Sequence, residues 1–150
     1  MEAHNVAAEA LIQVRDGRDF APASTILKSI TAEKACLTLS DLGYSLATYV
    51  LHTDFWQVVW LNRLTGNRAP NITKDWRVAE PAEWAAIREA FLTHLDQAIA
   101  IAQSRPFTHS MKSDDVAIRT LLQIAVHNAY HVGQFVLLKR AVNRMSKSKA

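Results

Sequence analysis

The chain has 150 residues and a mass of 16.8 kDa, the size of one ordinary domain. With 49% hydrophobic and 21% charged residues, 4 Gly and 4 Pro, the composition excludes collagen-like, low-complexity and many-turned all-β architectures. Cys36 is the only cysteine, which excludes an intrachain disulfide, and the formal charge of +3 comes from Lys139, Arg140, Arg144, Lys147 and Lys149, without which the chain is net acidic.

Apolar spacing predicts helices almost throughout. Residues 3–15 place Val6, Ala10, Leu11 and Val14 on one face and stop at Asp16-Gly17. A shorter amphipathic piece over 24–39 turns Ile26, Leu27, Ile30 and Ala35 inward, with Cys36 as a small apolar filler. Asp41-Leu42-Gly43 is a break, and Ser45 is an N-cap for a helix over 45–64 that Gly66 closes. The inner stripe of that helix is Leu46, Tyr49, Val50, Thr53, Trp56 and Trp60.

A polar connection over 67–80 leads to Pro81, which suits the first turn of a helix over 81–103. Its inner face is Trp84, Ile87, Phe91, Leu95, Ala98 and Ile99. After a loop through Arg105-Pro106-Phe107, Ser113-Asp114-Asp115 starts a last helix over 114–142, with acids at the positive end of its dipole. The expected fold is therefore all-α: a four-helix bundle with short extra helical segments over 1–142, then a basic, frayed tail over 143–150. No run of transmembrane length occurs, and Met1-Glu2-Ala3-His4-Asn5 lacks the basic start of a signal peptide, so the expected location is cytoplasmic. The basic end reads as a solvated helix terminus, so neither a membrane nor a nucleic acid is an expected partner.

The segment His127-Asn128-Ala129-Tyr130-His131 carries the chemistry. Histidines four apart are separated by about 40° around a helix, so both imidazoles can reach one ion. Ile124, His127, His131, Phe135 and Leu138 follow the inward three-and-four row, which places both rings among apolar neighbours as neutral groups. The candidate third ligand is His52, between Tyr49 and Trp56 on the border of the 45–64 stripe. Three neutral imidazoles with an open position suit Zn²⁺ or another borderline divalent metal. Asn128 stands where a zinc peptidase carries its general base, which argues against peptidase chemistry.

Other residues have plainer expected roles. Gln134 neighbours the site and can orient a ligand, and Gly133 permits close helix approach. Tyr49, Trp56, Trp60 and Tyr130 form core and pocket wall. Asp54, two residues from His52, is expected on the surface, as are His4, His94 and His109. Arg140 reads as a cation that complements the end of the last helix.

Tyr44-Ser45-Leu46-Ala47 followed by His52, Phe55, Trp56 and Trp60 resembles the second helix of the DinB/YfiT-like superfamily. His127-Asn128-Ala129-Tyr130-His131-Val132-Gly133-Gln134 resembles its last-helix signature, H-x-x-x-H-x-G-Q, with Arg140 following, and Asp75-Trp76 ahead of Glu83-Trp84 is similar to its middle section. The resemblance covers nearly the whole chain. It implies a homodimeric four-helix bundle holding one divalent ion (zinc, nickel or iron) on His52, His127 and His131; by their positions beside that site, Gln134, Tyr49 and Trp56 are the candidate cofactor-binding residues. Relatives include metal-dependent transferases and isomerases that use glutathione, mycothiol or bacillithiol, so the expected function is thiol transfer, with hydrolysis as another product of such a site. The alternative is a non-catalytic metal- or ligand-binding stress-response bundle of the same fold. A DNA-associated damage-response factor is a further rival, against which the acidic balance of the chain before its basic end argues.

Overall fold

In the computed structural model, which describes residues 2–39 and 43–147, the chain forms α1 (Ala3–Asp16), α2 (Ala23–Lys28), α3 (Ala32–Ala35), α4 (Leu46–Thr65), α5 (Trp84–Gln103) and α6 (Asp114–Lys147). No strand occurs among the described residues, and no helix is long and apolar enough to cross a membrane. The helices end where their sequences supply stops. Gly17 ends α1 at φ 65, where a Cβ would lie 2.1 Å from the carbonyl oxygen of Phe20, so only glycine fits. Ser45 caps α4 as expected, its Oγ accepting the Thr48 N–H at 3.2 Å, and Gly66 closes that helix in a left-handed turn.

The four long helices make the bundle. α1 packs on α5 and α6, and α4 packs on the same two, so α1 and α4 occupy opposite corners. The core between them includes Leu11, Val50, Phe91, Leu95, Leu121 and Phe135. Phe91 and Phe135 meet edge to face at 5.8 Å, which adds roughly 1 kcal/mol to the burial of the two rings. α4 thus has buried neighbours on two sides, a feature that decides the fate of its polar residues.

Several boundaries depart from the sequence reading. The piece expected over 24–39 is two short helices, because Thr31 starts α3 by accepting the Lys34 N–H on its own Oγ1 at 3.4 Å. The helix expected from Pro81 opens with a tighter turn over Pro81–Glu83, held by a reciprocal Glu80 and Glu83 capping box, before α5 begins at Trp84. The last helix continues past Val142 to Lys147, and positions 148–150 lie outside the described residues. Of the break expected at Asp41-Leu42-Gly43, only Gly43 is described. Gly133 is not a close-packing position: it is exposed, and a Cβ there would meet nothing within 4 Å. Cys36 caps α3 and packs partly buried against the core, as its filler role requires.

Candidate metal centre

α4 supplies His52 and α6 supplies His127 and His131, one helical turn apart on the row that faces α4. His52 and His131 are buried, at 8% and 5% exposure, and His127 is half-buried. One nitrogen from each of the three rings lies within 4.8 Å of the other two. The ring centroids are 5.5 Å apart for His52 and His127, 4.9 Å for His52 and His131, and 4.4 Å for His127 and His131. The three residues singled out from the sequence therefore form one cluster.

Two of the rings are oriented from behind. His52 Nδ1 donates to Asp75 Oδ1 at 2.6 Å, and His131 Nδ1 donates to the Gln134 side-chain oxygen, also at 2.6 Å. Each bond places a proton on Nδ1 and leaves Nε2 as the ring nitrogen open to an ion. Asp75 is itself held by Trp56 Nε1, which donates to Oδ2 at 3.0 Å, and by the Trp76 N–H, which donates to Oδ1 at 2.9 Å. Trp76 then stacks on His52 with centroids 3.8 Å apart. To do so it adopts φ 59, a left-handed conformation that costs a bulky residue about 1–2 kcal/mol.

His127 is different. Its buried Nδ1 has no hydrogen-bond partner among the described residues. Burial, reinforced by the neighbouring His131 and His52, lowers its pKa to about 4, and burial likewise pulls His131 down. Both rings are therefore neutral at physiological pH, the state a metal ligand needs. Three imidazole donors, with an orphaned ring nitrogen among them and no carboxylate, fit a borderline divalent ion rather than Mg²⁺ or Ca²⁺.

His127 lines a solvent-open cleft of about 700 Å³. Trp56, Trp60, Leu122, Val126 and Tyr130 give it apolar walls, and His127, Gln123 and Arg119 are its polar lining. A smaller cavity of about 280 Å³ lies beyond His131, lined by Tyr49, Gln134 and Leu137 with Leu138 and Ala141. Tyr49 approaches His131 at 6.2 Å, and Tyr130 packs on it from outside at 5.1 Å. Arg140 is exposed on the far stretch of α6 and lines neither cavity.

Four expectations about polar residues need correction. Asp54 is buried, because α4 is covered by α5 on that face. It accepts from His94 Nδ1 at 2.7 Å and from Gln57 Nε2 at 3.1 Å. His94 is accordingly half-buried rather than a surface residue. The fully buried Gln57 also donates to the Phe91 carbonyl and accepts from Asn128 Nδ2 at 2.6 Å, tying α4, α5 and α6 together directly behind His127. His4 is buried, stacked on Phe107 at 4.8 Å and contacted by Arg105. His109 bridges loop and helix, donating from Nε2 to Asp114 at 2.9 Å and accepting the Met111 N–H on Nδ1.

Sequence periodicity missed Asp75 as an orienting residue. It lies in the polar connection, 23 positions from His52, where no helical spacing links the two. The available signal was an Asp-Trp pair in an otherwise unremarkable loop.

A helical bundle with a three-histidine cluster between its second and last long helices is the class this fold and site define. A family model for the DinB superfamily matches residues 21–135, and the chain belongs to that superfamily. No curated protein and no solved structure gives a significant match.

Proposed function

We propose that this chain is a metal-dependent transferase acting with a low-molecular-weight thiol, its one divalent ion held by His52, His127 and His131. The observation that carries the reading is the cleft that reaches His127: a coordination sphere serving stability alone needs no such access. When bound, the ion supplies a Lewis acid that lowers the pKa of a thiol placed in its open position. Asp75 and Gln134 hold two imidazoles in the donor tautomer, and Trp76 shields the His52 ring from water. Trp56 supports Asp75 while forming the cleft wall, so one side chain serves both orientation and binding. The two cavities give room for two reactants, with Tyr49 and Gln134 beside the smaller one. Zinc, nickel and iron all suit imidazole donors, and glutathione, mycothiol and bacillithiol are the thiols to try.

The test is displacement of chloride from 1-chloro-2,4-dinitrobenzene by each thiol, followed by absorbance, with metal-replete parent protein and with His127→Ala. Transfer by the parent that is lost in the variant supports the reading. No transfer with any of the three thiols would favour the non-catalytic bundle. The homodimer is also a proposal: Val6, Phe20 and Leu137 are exposed apolar side chains available to a second copy, and sedimentation velocity reads the mass directly.

A further inference from the structure

The larger cleft has an asymmetry that a thiol site does not require. Its walls are aromatic and aliphatic, and two of its side chains remain strongly exposed, Val126 at 70% and Tyr130 at 66%. Its one cation, Arg119, forms no ion pair or hydrogen bond with any described residue, and no acid lines the cleft. Arg15 pairs with Asp96, Arg18 with Glu9 and Arg77 with Glu83, and Arg105 contacts His4, whereas Arg119 is among the exposed arginines whose guanidinium is open to a ligand.

Arg119 lies eight residues before His127 on α6, about 12 Å along the helix axis at 1.5 Å per residue. Gln123 stands between them, and Trp56 and Trp60 on α4 face the interval. The cleft therefore has a cationic end, a flat apolar middle and an end at the metal cluster.

We infer that this cleft takes an elongated aromatic carboxylate as the second substrate, its carboxylate on Arg119, its rings against Trp56 and Trp60, and its reacting end toward His127. The inference rests on the transferase reading for the role of the His127 end, and adds the substrate class. A guanidinium presents a planar pair of donors that matches a carboxylate, and a single unpaired cation balances a single negative charge. Aromatic walls select a flat body and resist a compact polar anion. Inorganic phosphate, with two charges and no apolar body, fits neither feature.

The test is calorimetric titration of metal-free protein with biphenyl-4-acetate, its neutral amide, and phenylacetate. Working without metal removes direct carboxylate coordination as a cause of binding, so the result stands apart from the metal assignment. The acid is expected to bind about fivefold more tightly than the amide, an effect sized for a solvent-facing guanidinium. The single-ring acid should bind more weakly than the two-ring acid. Arg119→Gln should remove the acid's advantage, with circular dichroism unchanged because Arg119 is exposed, and Trp60→Phe should weaken acid and amide alike. Equal affinities for acid and amide in the parent would overturn the inference. So would an acid preference that survives in Arg119→Gln, or no binding up to the solubility limit of the probe.

Discussion

Two histidine–aspartate pairs hang from α4 within two residues of each other, and they differ in what surrounds the ring. His52 meets Asp75 at 2.6 Å, and its other face looks toward His127 and His131. Asp54 meets His94 at 2.7 Å, and its remaining contact is Gln57 in the polar clamp behind the site. The first carboxylate fixes the tautomer of a ring that has further ring nitrogens to face. The second satisfies a buried acid and joins three helices. The same pair of residue types thus serves ligand orientation in one place and helix registration in the other, and the neighbours of the imidazole decide which.

The clearest way to break that distinction is to delete each carboxylate. Asp54→Ala strips His94 and Gln57 of a partner in the core, and should cost about 3 kcal/mol in chemical denaturation while metal content stays near the parent value. Asp75→Ala should do the reverse, weakening metal binding roughly 10–100-fold by competitive titration with smaller loss of stability. If both substitutions lowered metal affinity equally, the two pairs would not have separate roles.

Acidity sharpens the comparison, because the two environments shift histidines in opposite directions. Hydrogen bonding to Asp54 raises His94 above its ordinary 6.5, so the folded state favours its proton. Its contribution is complete below pH 6.5 and is lost as pH rises through the raised value. Burial lowers His127 to about 4, so the unfolded chain takes up that proton first. Its contribution is complete above pH 6.5 and is lost as pH falls toward 4. Melting temperatures of metal-free protein across this range should show both limbs. His94→Gln should flatten the alkaline limb and His127→Gln the acid one, and unchanged limbs would contradict these environments.

The smallest expected effect probes α6 itself. Gly133 is an exposed mid-helix glycine with open space at its Cβ position, so Gly133→Ala should stabilise by about 0.5–1 kcal/mol without altering metal content. A loss of stability would mean that a second copy or a ligand approaches the backbone there.

What could be read from the sequence follows the same division. The long helices and the three clustered histidines were legible because His127, His131 and their apolar neighbours repeat at helical spacing, and that spacing alone fixes the side they face. Asp54 is buried although it lies off the periodic stripe, because α4 is covered by both α5 and α6 and one stripe marks only one of those sides. The buried Gln57 between them has the same origin. Asp75 escapes periodicity for another reason: it lies in a loop, 23 positions from His52, and no helical repeat links the two.

The most direct measurement of the central claim is metal per chain by mass spectrometry, on untagged protein purified without chelators. The parent should carry about one equivalent of zinc, nickel or iron, and His52→Ala and His127→Ala should each carry nearly none. A parent that stays empty after divalent ions are added back, or variants that retain the parent's metal, would contradict it and leave the three imidazoles as polar groups of the core.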